Sequence, residues 1–164
     1  MSGRFLLSFM DRMHPTATTA VDLGCGTGLI ASALARDRAT LSVLATDQSS
    51  AAVSSTAATA AANGLSERVT VIRDDAMSTL PDASVDLILC NPPFHIGTSV
   101  HAGAAVKLFD AAGRVLAPGG ELWTVFNTHL AYDRALTRAV GPTRVVGRNA
   151  KFTVTVSRRS APEA

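Results

Sequence analysis

The segment Asn91-Pro92-Pro93-Phe94, called the NPPF segment below, combines residue types that can hold a planar amine for reaction. An aromatic amine such as guanine N2 or adenine N6 is a poor nucleophile because its lone pair is delocalised into the ring. If the Asn91 side-chain oxygen and the Pro92 carbonyl each accept one N–H, the nitrogen becomes more tetrahedral and its lone pair can attack. Phe94 would stack on the substrate ring. The two prolines stiffen the backbone, which suits a positioning role.

A second candidate site is the glycine loop, residues 24–28, which follows one predicted strand and precedes a predicted helix. Glycines at positions 24, 26 and 28 let the backbone approach a phosphate or a nucleoside closely. The dinucleotide-binding spacing would need a glycine where this chain has Leu29, so a nicotinamide cofactor is disfavoured. A glycine loop by itself is weak evidence for a cofactor site, so residues at other strand ends must support it.

Three carboxylates near predicted strand ends supply that support, because they match parts of S-adenosylmethionine. Asp47 follows the second strand, where a carboxylate can accept hydrogen bonds from both ribose hydroxyls. Asp22 lies just before the glycine loop and can reach the amino-acid end of this cofactor, directly or through water. Asp75, after the third strand, can accept a bond from the adenine amino group. Ordinary loop and helix-capping roles stay open for Asp22 and Asp75.

Strand-like and helix-like segments alternate along the chain, which predicts an α/β fold with a parallel sheet. Strands are predicted at 19–23, 41–46, 69–73, 85–90, 121–126, 144–146 and 151–158, and helices at 3–13, 28–36, 49–62, 103–116 and 131–140. Parallel strands end at one edge of a sheet, so the glycine loop, Asp47 and the NPPF segment are expected to share a crevice. In the last strand apolar residues alternate with hydroxyl residues, which predicts a half-exposed antiparallel strand.

Composition is that of an ordinary globular domain. The 164 residues are 47% hydrophobic and 17% charged, which argues against disorder. The sequence lacks both a membrane-length apolar run and a signal-peptide pattern, so we expect one cytoplasmic domain over residues 1–164. Cys25 and Cys90 lack metal-ligand spacing and are predicted to be buried, reduced thiols. No metal site is expected.

Positive charge is concentrated near the C-terminus. Residues 1–130 hold 8 Lys and Arg against 11 Asp and Glu, whereas residues 131–164 hold 7 against 2. Such clustering is typical of a surface that binds a phosphate backbone. From charge alone, a solvated basic surface without a partner is an equally open interpretation.

The glycine loop, with Asp22 and Leu23 before it, and the NPPF segment together resemble class I methyltransferases that act on planar amide or amine nitrogens. That group includes adenine-N6 enzymes, release-factor glutamine enzymes and guanine-N2 ribosomal RNA enzymes. Nearly the whole chain is similar to the catalytic domain of the bacterial ribosomal RNA guanine-N2 methyltransferases of the small and large subunit type. The residues that carry this closer similarity are His95, 119–123, 127–132 and 149–154.

The resemblance implies a Rossmann-like class I methyltransferase sheet, mostly parallel with an antiparallel C-terminal strand and with helices on both faces. It implies S-adenosylmethionine as cofactor, and a guanine in ribosomal RNA or a ribosomal subunit as substrate. The predicted cofactor contacts are Asp22, Gly24, Gly26, Asp47, Asp75 and Asn91. The predicted catalytic residues are Asn91, Pro92 and Phe94, and the predicted substrate contacts are Pro93, Phe94, His95, His129 and Lys151.

Several alternatives stay open. The same loop would serve a methyltransferase of a release-factor glutamine or of adenine N6, and a catalytically silent domain that only binds RNA is a third interpretation. His95 can instead support its loop, His129 and Tyr132 can simply pack, and Lys151 can be a solvated charge at a strand edge. Members of the resembled family usually carry a duplicated N-terminal domain. We therefore expect a compact relative or an excised catalytic domain, acting as a monomer.

Overall fold

The computed structural model of the protein describes residues 2–92 and 99–160. Within these residues the chain forms five α-helices and seven strands around one sheet. The helices are α1 (Ser2–Leu7), α2 (Leu29–Asp37), α3 (Ser50–Ala62), α4 (Ser99–Val115) and α5 (Asp133–Ala139), with a 3-10 turn at Met10–Arg12. The strands are β1 (Thr19–Leu23), β2 (Ser42–Asp47), β3 (Val69–Arg73), β4 (Val85–Cys90), β5 (Leu116–Asn127), β6 (Thr143–Arg148) and β7 (Phe152–Arg158).

The strand order is β3-β2-β1-β4-β5-β7-β6. Strands β1 to β5 are parallel, and β7 runs antiparallel to both of its neighbours, which confirms the predicted mostly parallel sheet. The chain builds outward from β1 on one side and from β4 on the other, so the topological switch point lies between these two strands. Ligands of open α/β sheets bind in the crevice at such a point, beyond the carboxyl ends of the strands.

Hydrophobic layers cover both faces of the sheet, as predicted. On one face the buried residues include Leu6 of α1 and Leu34 of α2, packed with Trp123 of β5. On the other face Phe109 of α4 and Leu136 of α5 are buried. Burying side chains of this size contributes roughly 1.5–3 kcal/mol each, so the two layers hold the strand ends in a rigid frame.

The first helix is shorter than predicted, and the fifth strand is longer. Helix α1 ends at Leu7 rather than at residue 13, and the chain then turns so that the Phe9 ring packs where Gly147 of β6 has no side chain. Strand β5 begins at Leu116 instead of residue 121, because a register shift between Val85 and Leu87 accommodates the extra residues 117–120 as a bulge. Bulges of this kind let a strand continue through Pro and Gly.

The prediction that the last strand is half-exposed is wrong. Strand β7 is covered at its outer edge by β6, and Thr153, Thr155 and Ser157 are fully buried. Their hydroxyls are tolerated inside because most find partners: Thr153 Oγ1 accepts a bond from Arg148 Nε (3.1 Å) and Ser157 Oγ lies 2.8 Å from Thr143 Oγ1. The alternation in sequence therefore distinguishes two buried faces, one apolar and one hydroxyl-lined.

Replacing Thr155 with valine is expected to raise the free energy of unfolding by about 1 kcal/mol. Within the described part of the chain the Thr155 hydroxyl is buried without a hydrogen-bond partner, and valine keeps its shape while removing the unsatisfied group. Urea unfolding would measure the change. The matched control is Thr153→Val, which removes a bonded hydroxyl and is expected to lower stability. Equal changes in both variants would contradict this interpretation.

Cys25 and Cys90 are free and buried, as predicted. Burial raises the pKa of both thiols, so both stay protonated at neutral pH. No helix in residues 2–92 and 99–160 has the length and apolar character needed to cross a membrane.

Candidate active site

A cavity of about 470 Å³ opens beyond the carboxyl ends of β1 to β4, at the switch point. The pairing of Leu23 with Cys90 places the residues that follow, Gly24 and Asn91, on neighbouring strand ends. Asp47 is the last residue of β2, which pairs with β1 on its other side. The residues that line the cavity are Leu23, Gly24, Gly26, Thr46, Asp47, Gln48, Ser49, Asp74, Asp75, Ala76, Asn91, Ala104, Lys107 and Leu108.

The three glycines of the glycine loop are all in the left-handed region, with φ of +73° at Gly24, +52° at Gly26 and +84° at Gly28. A Cβ added at Gly24 or Gly26 would have no described atom within 4 Å, so these two positions face open space. A Cβ at Gly28 would lie 2.8 Å from the Thr56 Cα. The first two glycines therefore leave room for a ligand, whereas the third allows helix α3 to approach the loop.

Two threonines of α3 hold the glycine loop. Thr56 Oγ1 donates to the Gly26 carbonyl (3.1 Å) and Thr59 Oγ1 donates to the Thr27 carbonyl (2.7 Å). These bonds fix two carbonyls of the loop, and the N–H groups of residues 24, 25, 26 and 28 also have acceptors within the protein. The sequence interpretation did not single out these threonines. Their spacing of three residues on one face of an Ala-rich helix was the signal available.

Asp47 connects the loop to the next helix. Its Oδ2 accepts a bond from the Gly26 N–H (3.2 Å) and its Oδ1 accepts one from the Ser49 N–H (2.9 Å). A carboxylate has about four lone-pair sites, so both oxygens can accept further bonds from a ligand in the cavity. The charge and the remaining acceptor capacity suit a pair of hydroxyl groups.

Asp22 lies beneath the loop and is not among the lining residues. It is 1% exposed, and its Oδ2 accepts a hydrogen bond from the Ala31 N–H (3.0 Å) in the first turn of α2. Burial raises the pKa of Asp22 to about 7; the bond from Ala31 opposes this rise, and the nearby charge of Asp47 adds to it. Asp22 thus tethers α2 to the end of β1 and changes charge near neutral pH.

The two aspartates that follow β3 have different surroundings. Asp74 is buried, and its carboxylate accepts bonds from Ser78 Oγ (2.6 Å) and from Thr79 Oγ1 (2.6 Å), so it closes the turn. Asp75 lines the cavity and forms an ion pair with Lys107 Nζ of α4 (2.7 Å). Lys107 was not singled out from the sequence, since only the tertiary structure brings α4 to the end of β3.

Asn91 is half-buried at the cavity wall, and Pro92 is buried behind it. The Asn91 Nδ2 donates to Ser2 Oγ of α1 (3.0 Å), so its amide nitrogen already has a partner. Within residues 2–92 and 99–160 no donor reaches the Asn91 Oδ1. The remaining predicted residues of this segment, Pro93 and Phe94, and the adjacent His95 lie outside the described residues and stay predictions.

His129 and Lys151 are exposed and do not line the cavity. They belong to neighbouring loops at the same end of the sheet, and the Thr128 N–H donates to the Lys151 carbonyl (2.9 Å). Lys151 does not lie on a strand edge, because β6 rather than β7 is the outer strand. Tyr132 packs in the core, with its ring centroid 5.4 Å from that of Phe109.

The raised pKa of Asp22 predicts a pH-dependent stability. The folded pKa is about 7 against an ordinary value of 3.8, so the folded state binds the proton more tightly. Protonated Asp22 therefore adds to the free energy of unfolding. This contribution is complete below pH 3.8 and is lost as the pH rises through about 7. Asp22→Asn is expected to lack this component and to be the more stable protein at pH 8. Urea unfolding of both proteins at pH 5 and pH 8 measures the difference; a difference that does not change with pH would refute the assignment.

Comparison with known proteins identifies relatives among RNA-modifying enzymes. The chain is 42% identical over 134 residues to the ribosomal RNA large subunit methyltransferase G of Streptomyces coelicolor, covering 82% of this chain and 36% of the relative. The protein of the same name from Shewanella amazonensis is 39% identical over 156 residues, covering 94% and 40%. The chain thus spans about two fifths of the length of the relatives that it matches.

Solved structures agree on the fold. A 16S rRNA N2 methyltransferase of T. thermophilus, in complex with AdoMet and guanosine, has a TM-score of 0.80 and 28% identity, over 96% of this chain and 43% of that chain. The [4+2]-cyclase SpnF has a TM-score of 0.75 at 17% identity, over 98% of this chain and 81% of that chain. The second likeness concerns the fold alone, because one fold hosts many functions. Residues 1–156 match the methyltransferase small domain, and the chain belongs to this family.

Proposed function

We propose that this chain transfers a methyl group from S-adenosylmethionine to the exocyclic N2 of a guanine in ribosomal RNA. The observation that carries the proposal is the meeting of Gly24, Asp47 and Asn91 in one cavity at the switch point of the sheet. The names of the relatives, which are ribosomal RNA methyltransferases, support the substrate class. The neighbouring structure that contains AdoMet and guanosine supports the cofactor and the base.

The cavity suits the cofactor. Gly24 and Gly26 leave space against the backbone that any side chain would fill. Asp47 is the acceptor for the ribose hydroxyls, and Asp75, held by Lys107, is the acceptor for the adenine amino group. Asp22, when ionised, favours binding of the positively charged amino group at the amino-acid end of S-adenosylmethionine. S-adenosylmethionine supplies an electrophilic methyl group when bound.

The amine of the substrate is held by the NPPF segment. Because the Asn91 Nδ2 is committed to Ser2, its oxygen is the atom that accepts one N–H, and the Pro92 carbonyl accepts the other. The nitrogen lone pair is then directed away from the ring, and the rate comes from orientation and electrostatics. Phe94 stacks on the base, with Pro93, His95, His129 and Lys151 as further substrate contacts. No base is required, since the methylated nitrogen can lose its proton to water.

We also propose that the protein acts as a monomer in the cytoplasm. Its substrate there is ribosomal RNA, either free or within a ribosomal subunit. A second substrate class uses the same chemistry: a glutamine amide or adenine N6 also presents a planar N–H group. The substrate experiment below separates these classes.

The test is to incubate the protein with methyl-labelled S-adenosylmethionine and, in separate reactions, ribosomal subunits, naked ribosomal RNA or release factors. Each product is then digested and identified by chromatography and mass spectrometry. N2-methylguanosine in the RNA reactions is the expected result. Label on glutamine or on adenine N6 would overturn the guanine assignment, and absence of label in all reactions would overturn the proposed activity.

A further inference from the structure

The basic C-terminal part of the chain is divided between opposite ends of the sheet. Strand β6 ends at Arg148 and β7 begins after Lys151, at the end where β5 finishes with Asn127. Arg158 is the last residue of β7 and pairs with Glu121 of β5, and it therefore lies toward the far end of the sheet. Only part of the charge excess thus lies on the side of the cavity.

The turn between β6 and β7 is held by side-chain hydrogen bonds. The Asn149 Oδ1 accepts bonds from the N–H groups of Lys151 (2.9 Å) and Phe152 (2.7 Å). Thr128 ties this turn to the loop after β5, since its Oγ1 donates to the Asn149 carbonyl (3.1 Å). His129 is the next residue of that loop. A preorganised turn loses little conformational entropy when its side chains bind a ligand.

The two cations beside this turn, Arg148 and Lys151, contact neighbouring side chains that carry no negative charge. Arg148 donates through Nε to Thr153 Oγ1 (3.1 Å), which leaves its two terminal nitrogens for other acceptors. Lys151 Nζ lies 5.3 Å from the centroid of the Phe152 ring. Within the described ranges, no carboxylate lies within 4 Å of either cation. Both are therefore available to an anion.

The turn is also at a suitable distance from Asn91. Strands β4, β5 and β7 are consecutive in the sheet, and neighbouring strands are about 4.8 Å apart, so Phe152 at the start of β7 is displaced from Asn91 by roughly 10 Å across the sheet. We propose that Arg148 and Lys151, with His129 beside them, form a phosphate clamp that holds the RNA backbone flanking the target base. This inference rests on the proposed function, and it assigns backbone positioning rather than base selection to the turn.

The clamp is tested by the salt dependence of RNA binding. A short fluorescein-labelled single-stranded RNA containing guanine is titrated with each protein, and its anisotropy is followed at several salt concentrations. Each phosphate contact in single-stranded RNA contributes about 0.7 to the slope of log affinity against log salt. The double variant R148Q/K151Q is expected to lose about 1.4 of the slope and roughly 25-fold in affinity at about 0.1 M salt. The charge-preserving variant R148K/K151R is expected to keep both.

The matched control is R144Q/R158Q. Arg144 lies near the start of β6 and Arg158 ends β7, so both exposed cations lie away from the turn, and this variant should bind RNA like the unmodified protein. Equal losses in both double variants, or no loss in R148Q/K151Q, would overturn the clamp. In either case, formation of N2-methylguanosine by the unmodified protein would leave the proposed function intact. Failure of the unmodified protein to bind RNA at all would overturn both.

Discussion

Replacing Asn91 with alanine is expected to lower the rate of methyl transfer roughly 100- to 1000-fold, the range found when one preorganised polar group is removed from an active site. The reason is geometric, since alanine removes the oxygen that turns the amine lone pair away from the ring. Binding of S-adenosylmethionine should change far less, because Gly24, Gly26, Asp47 and Asp75 still line the cavity. Single-turnover transfer and calorimetry with the cofactor measure the two quantities separately.

A matched variant distinguishes loss of the amide from loss of its orientation. Ser2→Ala removes the acceptor of the 3.0 Å bond from Asn91 Nδ2 but leaves the amide in place. It is expected to lower the rate by less than Asn91→Ala does, and Ser2→Thr should restore most of the rate because it keeps a hydroxyl. An Asn91→Ala protein that still transfers methyl groups at the normal rate would remove Asn91 from the catalytic assignment.

Replacing Gly28 with alanine is expected to destabilise the protein by roughly 2–5 kcal/mol, the sum of left-handed backbone strain and overpacking. Its φ is +84°, and the added Cβ would lie 2.8 Å from the Thr56 Cα. That neighbour is the backbone of α3, so relief requires the helix to shift. Because Thr56 also bonds to the Gly26 carbonyl, the shift would disturb the cavity wall. Urea unfolding measures the loss of stability.

Gly24→Ala is the control for that variant. The strain of a positive φ is similar, but no described atom lies within 4 Å of the added Cβ, so the cost should stay near 1–2 kcal/mol. The methyl group would instead occupy ligand space, and the main effect should be weaker cofactor binding in calorimetry. Equal stability losses in the two variants would show that packing on α3 is not the reason for glycine at position 28.

Local sequence patterns were sufficient to predict the bounds of several strands of the sheet. Strands 19–23, 69–73 and 85–90 match their predicted bounds because each is a short, mostly apolar run. The residues that follow them are Gly24, Asp74 and Asn91, types that are depleted in strands. Ser49 caps α3 through a bond from the Ala52 N–H, and Asn63 and Gly64 end that helix. Signals of this kind involve neighbours within a few residues, so they can be read without the fold.

The sequence by itself determined which residues stand at the strand ends, and the parallel-sheet rule then brought Gly24, Asp47 and Asn91 to one cavity. Only the tertiary structure decided what holds them. Ser2, Thr56 and Lys107 come from helices distant in the chain, and their side chains are ordinary until packing brings them to the site. The same reason explains the error at β7, since burial of a strand depends on the neighbour at its edge, and no pattern within the strand records that neighbour.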